Sequence, residues 1–211
     1  MAMTPGTAQV RGPYRKGIER RAQIVRGASE VFAVLGYSGG SLRAIADRAG
    51  TSSATLIQLF GSKEGLLMAV LDDWTEQSAE IVQPGQEGLA FFQAMRGLMD
   101  FHLEHRGLLE LFITLAAEAS NPDHPAREFI QQRYRDTIAE WSGHLRLARD
   151  RGEVAGMTDE QIDGEIQSLL AMADGLELQW LLNPQIDLPG RFNAYLDQAI
   201  HRWQEAPQGS T

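Results

Sequence analysis

The most informative part of this chain is SLRAIADRAGTSSATLIQLFGSKEGL, residues 41–66. It contains two short runs whose apolar residues recur at helical spacing, and Gly50-Thr51-Ser52 separates the runs. Two short helices joined by a glycine-containing turn are typical of a helix-turn-helix, in which the second helix enters the major groove of DNA. We therefore predict a DNA-reading helix pair at this position.

The side chains of this stretch divide into an inward and an outward set. The inward set, which we expect to lock the helices together, is Leu42, Ile45, Ala46, Ala49, Leu56 and Phe60. The candidate DNA contacts are polar: Ser41, Arg43, Ser52, Ser53, Thr55, Gln58 and Lys63. Arginine can donate two hydrogen bonds to guanine and glutamine can pair with adenine, while serine and threonine suit bases or phosphates. Ser41, at a helix N-terminus, and Lys63 are placed for phosphate contacts.

The chain on either side of this stretch also carries helical periodicity. A helix is predicted from Ile18, with Gly36 as its stop, and Thr158 with Gln161 predicts a capping box further on. No alternating strand pattern of useful length and no nucleotide-binding glycine motif occurs. The predicted fold is all-α with about nine helices. Its parts are a flexible basic arm (1–16), a helix-turn-helix domain (17–62), a second helical domain (63–205) and a disordered tail (206–211).

Charge is distributed unevenly along the chain. The whole sequence has a formal net charge of −9, but residues 1–70 hold nine Lys and Arg against four Asp and Glu. The remainder holds ten against twenty-four. A basic front on an acidic body can dock on phosphate with one end only, which favours nucleic-acid binding. The alternative is a chance fluctuation of surface charge.

Bulk composition excludes several classes of protein. The 211 residues include no cysteine, so disulfides, thiolate metal sites and cysteine nucleophiles are excluded. No apolar run is long enough to cross a bilayer, because even the stretch around residues 108–117 is interrupted by Glu110, and the first residues lack the features of a secretory signal. We expect a cytoplasmic protein that does not bind a membrane.

The sequence resembles the TetR family of one-component transcriptional regulators over residues 17–70. The resemblance rests on fixed spacings within about fifty residues: Ile24, Ala28, Phe32, Gly36-Tyr37, Ser41, Ile45-Ala46, Ala49-Gly50, Ser52, Thr55-Leu56, Phe60, Ser62-Lys63-Glu64 and Leu66-Leu67. It implies a homodimer whose N-terminal domains bind double-stranded DNA at a palindromic operator. It also implies a C-terminal helical domain that dimerises and binds a small-molecule effector, and a repressor that the effector releases from DNA.

The sequence departs from the family pattern in the second helix of the pair. Ile57 stands where the family usually has a tyrosine that bonds a phosphate, Leu59 stands where a histidine or tyrosine is usual, and Ala54 replaces a frequent glycine. Losing a phosphate contact weakens DNA affinity without redirecting sequence preference. The arm, with Arg11, Arg15 and Lys16, could compensate by entering the minor groove. The alternative is a homologue that binds DNA weakly or non-specifically.

Aromatic and sulfur-containing side chains recur in the predicted C-terminal helices. The candidate ligand contacts are Trp74, Phe92, Met95, Met99, His102, Phe112, Trp141 and Met172. Apolar walls with few polar groups build small-molecule pockets, so the effector is expected to be largely apolar. The same stripes also fit a simple hydrophobic core, and that interpretation stays open. Polar candidates to orient a ligand are His102, Glu110, Glu118 and Asp174.

Two apolar stripes near the C-terminus are candidates for a dimer interface. The residues are Leu169, Ala173, Leu176, Trp180, Phe192, Leu196 and Ile200. Two copies could pair these helices into a four-helix interface, as two heads reading an inverted repeat require. The alternative is one core that buries both stripes.

Two other classes of protein are alternatives to a regulator. His102 and His105, beside Asp100 and Glu104, have a spacing that can share a metal ion, which would suit an enzyme on an inherited helix-turn-helix scaffold. An architectural DNA-binding protein would need a basic surface throughout, and the acidic body disfavours it. No nucleophile elbow or phosphate loop occurs, so we expect no catalytic residue, no cofactor and no resident metal.

Overall fold

The computed structural model describes residues 12–81, 85–124 and 126–205. All regular secondary structure in these ranges is helical, as the sequence predicted. The chain divides into two compact units, Met1–Val70 and Leu71–Thr211. The predicted tail, 206–211, and most of the predicted arm lie outside the described residues.

The first unit contains the predicted helix-turn-helix. Its elements are α1 (Gly12–Gly39), α2 (Leu42–Arg48), α3 (Ser53–Phe60) and the beginning of α4 (Lys63–Glu80). Helix α1 begins at Gly12, so residues 12–16 are helical where the sequence analysis placed a flexible arm. The predicted stop at Gly36 is a real break in α1, because its φ of 66° lies in the left-handed region that favours glycine. The compact unit ends at Val70, eight residues beyond the predicted boundary at 62.

The second unit consists of helices packed on one another. These are α5 (Leu89–Ala94), a 3₁₀ turn (Met95–Gly97), α6 (Leu98–Glu104), α7 (Arg106–Glu118), α8 (Arg127–Asp150), α9 (Asp159–Leu182) and α10 (Leu188–Gln204). Helix α5, the turn and α6 follow each other directly. Counted as one interrupted helix, they bring the described residues to nine helices, the number expected.

The start of α9 has the predicted capping box. The Thr158 hydroxyl accepts from the Gln161 amide N–H at 3.2 Å, and the Gln161 side chain accepts from the Thr158 amide N–H at 2.8 Å. Helix α10 starts in a related way, because the Asp187 carboxylate accepts from the Gly190 amide at 3.0 Å. Side-chain caps of this kind satisfy amide groups that have no partner inside the helix. The sequence therefore determines where these two helices begin.

The stripes predicted as the dimer interface belong to the core of a single chain. Helices α9 and α10 pack against each other, and their apolar stripes face that contact and the neighbouring helices. All seven residues of the prediction are buried: Leu169, Ala173, Leu176, Trp180, Phe192, Leu196 and Ile200. Their burial within one chain favours the alternative interpretation, a single core that buries both stripes, because the widest apolar face of each helix packs against other parts of the same chain. The large apolar side chains that α9 exposes are Leu178, at 46%, and Leu182, at 79%.

No single helix among the described residues is both long and apolar enough to cross a membrane; α3 and α4, bent by 69° at their break, reach that length and composition only when taken together.

Candidate functional site

The helix-turn-helix formed by α2 and α3, here called the reading head, consists of two capped helices packed around a buried core. Ser41 precedes α2 and its hydroxyl accepts from the Ala44 amide at 3.1 Å, while Ser52 precedes α3 and accepts from the Thr55 amide at 3.2 Å. Inside the pair, Ile45 and Leu56 are fully buried. These local bonds fix where each helix starts. Ser41 and Ser52, two of the predicted DNA contacts, therefore also hold the geometry of the motif.

The outward surface of α3 combines polar and apolar side chains. Gln58 on α3 and Arg43 on α2 are exposed, as their predicted role requires, and Ser53 and Thr55 are half-buried. The Thr55 hydroxyl lies 3.0 Å from the Ser52 hydroxyl. Ile57 and Leu59 are also exposed, at 44% and 42%. The surface offers hydrogen bonds at several points and apolar contact at others.

Lys63 has a defined place at the first residue of α4. Its ammonium group lies 4.3 Å from the centroid of the Tyr37 ring, and the Tyr37 hydroxyl donates to the Glu64 carboxylate at 2.6 Å. Burial and the bonded carboxylate of Glu64 raise the pKa of Tyr37 to about 12, so the phenol stays protonated. A cation over an aromatic ring is held by the ring quadrupole. Tyr37 thus positions the predicted phosphate contact, a role that the sequence analysis did not assign to it.

The second unit encloses a cavity of about 270 Å³. Helices α4 to α9 supply its walls, and six of the eight predicted ligand contacts line it: Trp74, Met95, Met99, His102, Phe112 and Trp141. Phe92 and Met172 do not line it. Phe92 is fully buried and its ring lies 4.9 Å from that of Trp203, so it belongs to the core. Ala173, predicted for the dimer interface, also lines the cavity.

A group of polar side chains forms one part of the cavity wall. His102 Nδ1 lies 2.6 Å from the buried Glu177 carboxylate, and the Tyr134 hydroxyl donates to the Asp174 carboxylate at 2.7 Å. Burial, with help from Glu177, raises the pKa of Asp174 to about 6, although the bond from Tyr134 works in the opposite direction. Of these residues, His102 and Asp174 were candidates from the sequence. Glu110 and Glu118, the other two polar candidates, are exposed and do not line the cavity.

Arg133 is the cationic member of the lining, and the sequence analysis missed it. Its guanidinium carbon lies 4.7 Å from the ring centroid of Phe112 and 5.6 Å from that of Trp74. Burial lowers the pKa of Arg133, and Tyr134, Asp174 and Glu177 oppose this effect. Arg133 occurs in REFIQQRYRD, where charged residues alternate with apolar ones in an ordinary amphipathic pattern. Only the direction in which α8 faces its neighbours distinguishes it from the exposed Arg135.

The two histidines considered as a metal pair have separate partners. His102 bonds to Glu177, whereas His105 Nδ1 lies 2.8 Å from the Phe101 carbonyl oxygen. Within the described ranges, no group of three or more His, Asp or Glu side chains is arranged to hold a metal ion. The pairing of His102 with a residue seventy-five positions away explains why the local spacing was misleading.

The capped helix pair, with its exposed polar side chains, defines a helix-turn-helix DNA-binding protein. A family model described as bacterial regulatory proteins, tetR family, matches residues 24–70. The HTH-type transcriptional repressor AcnR of Corynebacterium efficiens is 32% identical over 149 residues, which are 70% of this chain and 74% of AcnR. The chain belongs to the TetR family of bacterial transcriptional regulators.

Other similarities extend this comparison. The HTH-type transcriptional activator FasR of Mycolicibacterium smegmatis is 35% identical over 108 residues, 51% of this chain and 45% of FasR. A TetR-family regulator structure from Rhodococcus sp. superposes with a TM-score of 0.76 at 20% identity, covering 89% of this chain and all of that one. The regulator FadR of Bacillus subtilis, solved with stearoyl-CoA, superposes with a TM-score of 0.65 at 20% identity, covering 86% and 98%. At these identities the two structures establish the fold.

Proposed function

We propose that this chain is a cytoplasmic, homodimeric repressor that binds a palindromic operator and releases it when a small molecule occupies the cavity. The cavity of about 270 Å³ is the observation that carries the proposal, because a domain needed only for dimerisation has no use for an interior with inward polar groups. AcnR, a repressor, is similar over most of its length, which supports repression over activation.

Helix α4 offers a route from ligand to DNA. It begins with Lys63 at the reading head, and its second half carries Trp74, Thr75 and Ser78 of the cavity lining. A ligand shifts the protein toward whichever state it binds more tightly. We infer that the effector favours a position of α4 in which the two reading heads of a dimer no longer fit successive major grooves.

The dimer face that we propose is the outer stripe of α9. Small or apolar residues recur along this stripe at spacings of three and four: Ser168, Ala171, Gly175, Leu178 and Leu182. The space beside Gly175 is open within this chain. Small residues allow a second helix to approach closely, and the two leucines provide apolar area. Leu182→Glu should convert the dimer to a monomer in sedimentation velocity, whereas the exposed control Gln198→Glu should leave it dimeric.

Selection from random duplexes tests DNA binding directly. Purified protein is incubated with a pool of random duplexes at two salt concentrations, and the bound fraction is sequenced. An enriched inverted repeat supports a dimeric, sequence-specific regulator. Deleting the gene should then raise transcription from promoters that carry the repeat, while a fall would make the protein an activator.

A second candidate is a regulator with weak or non-specific DNA binding. The exposed side chains of Ile57 and Leu59 favour it, since neither can donate a hydrogen bond to a phosphate. Salt-sensitive binding without any enriched sequence in the same selection would support this candidate over the first.

A further inference from the structure

One hydrogen-bond donor group of the cavity wall, the Arg133 guanidinium, has no acceptor among the described residues. A guanidinium group has five N–H donors and no acceptor. Among the described residues, Arg133 contacts the rings of Phe112 and Trp74 but has no hydrogen bond or ion pair within bonding distance. Arg133 is half-buried in the lining, and donors that the protein leaves without an acceptor bond to water or to a ligand.

The acidic groups around Arg133 have partners already. Glu177 lies against His102, and Asp174 accepts the hydrogen bond of Tyr134. Glu140, also in the lining, is exposed to solvent. What the wall lacks is therefore an acceptor for a planar cation, and a carboxylate is the group whose two oxygens match a guanidinium in shape and charge.

The rest of the lining and the volume of the cavity indicate the size and the apolar character of the ligand. Trp74, Phe112 and Trp141 supply aromatic surface, and Met95, Met99 and Leu170 supply aliphatic surface. A cavity of roughly 150 Å³ holds a benzene molecule, so 270 Å³ suits a body of about two fused rings or a medium-length acyl chain. A complete acyl-CoA is far larger than this space.

We propose that the effector is a small amphipathic carboxylate whose carboxylate binds the Arg133 guanidinium while its apolar body lies against Trp74 and Phe112. This inference rests on the proposed function, because it names the chemical class that the effector cavity accepts. The opposite class, a cationic ligand, would place a second positive charge beside Arg133 and would have to compete with Tyr134 and His102 for the carboxylates.

Asp174 sets a limit on how tightly an anion binds. It faces Arg133 from α9, as Glu177 does, and Asp72 of α4 acts on the same guanidinium from another side. An entering carboxylate therefore meets repulsion unless Asp174 takes up a proton. Replacing Asp174 by asparagine should tighten binding of an acid several-fold, and this gain should be absent for the corresponding amide.

Matched probes test the proposal on the full-length protein. The probes are octanoate, octanamide and octylamine, and 2-naphthoate with its amide and its aminomethyl analogue. Calorimetry gives affinities, and a change in tryptophan fluorescence, to which Trp74 and Trp141 of the lining contribute, reports occupation of the cavity. At least one acid should bind ten-fold or more tightly than its amide, and Arg133→Gln should abolish that preference while leaving amide binding unchanged. Arg135→Gln, two residues along α8 and exposed, should have no effect.

Several results would overturn the proposal. These are an acid that binds no better than its amide, tighter binding of the amines, no binding of any probe, or an Arg133→Gln variant that loses acid and amide equally. Arg133→Lys is the control for misfolding of Arg133→Gln. It keeps the positive charge and should retain part of the preference for the acid over the amide. Duplex binding by the ligand-free protein is measured separately. If the protein binds its operator but no acid binds as expected, only the carboxylate proposal is refuted. If the protein does not bind an operator, the proposed repressor function is refuted.

Discussion

The reading head and the cavity are built from contacts of very different range. In the reading head, the caps that fix the helices join residues three apart, such as Ser41 to Ala44 and Ser52 to Thr55. In the cavity, the polar pairs join residues forty apart, in Tyr134 to Asp174, and seventy-five apart, in His102 to Glu177. A site made of short-range contacts can be recognised from spacing along the chain. A site assembled from several helices cannot, because its geometry depends on how the helices pack.

The two regions also treat charge differently. Arg43 and Gln58 face water, where a charged or polar group needs no partner within the protein. His102 and Glu177 of the cavity wall are buried, and Arg133, Tyr134 and Asp174 are half-buried, so their partners and pKa values depend on the neighbouring side chains. DNA can replace water on the first surface at little cost. A ligand in the cavity must instead match the groups already there.

The largest change in the free energy of unfolding is expected at Phe192, which was predicted at the dimer interface and is buried within the chain. Phe192→Ala removes a fully buried side chain of the second unit and should lower the free energy of unfolding by about 3–5 kcal/mol. Denaturant titration measures this, with the exposed Gln198→Ala on the same helix as the control. A variant that folds normally but dissociates into monomers would restore Phe192 to the dimer interface.

Asp174 should make the stability of the second unit depend on pH. Burial raises its pKa from 3.8 to about 6, so folding takes up a proton between these values and the free energy of unfolding falls as pH rises from about 4 to about 6. Asp174→Asn should remove this fall, which is of order 1–3 kcal/mol. Tyr134→Phe removes the bond that favours the ionised carboxyl and should enlarge the fall. Identical pH curves for Asp174→Asn and the parent would contradict the assignment.

Arg43 and Lys63 should affect DNA binding in different ways. Arg43→Ala should cost about 1–3 kcal/mol at a single base pair of the operator and relax the preference there. Lys63→Ala should weaken all duplexes alike and reduce the salt dependence by about one phosphate contact. Competition titrations on operator variants at several salt concentrations separate the two. If Lys63→Ala altered base preference, its position over the Tyr37 ring would serve recognition of bases and not of phosphate.

The smallest effect is expected at the caps. Ser52→Ala removes the acceptor for the Thr55 amide and should lower stability by about 1 kcal/mol, as should Ser41→Ala at α2. Ser53→Ala, one position along and without a capping bond, is the matched control. Thermal unfolding of the three variants checks this, and equal midpoints for Ser52→Ala and Ser53→Ala would mean that the cap contributes little.

The dimer prediction shows where periodicity stops being informative. Leu169 and Phe192 lie on strong apolar stripes. An apolar stripe indicates only that the helix face is covered by another surface. Whether that surface belongs to the same chain or to a second copy depends on helix packing. Leu178 and Leu182 lie on the poorer stripe of α9, yet they are the leucines of this helix that the chain leaves exposed. The two histidines show the same limit, since His102 contacts Glu177 of α9 and His105 contacts the Phe101 carbonyl oxygen although the two lie three positions apart.

The helical class, the helix-turn-helix at residues 41–66 and the capping box at Thr158 could be predicted from the sequence, because each depends on residues within a turn or two of one another. It also supplied most of the aromatic lining of the cavity, since large apolar side chains must be buried somewhere. By contrast, the inward position of Arg133, the exposure of Arg135, and the approach of Asp174 and Glu177 to Arg133 became visible only in the folded chain. The rotation of one helix against another is set by packing over the whole unit, and this rotation leaves no local trace in the sequence.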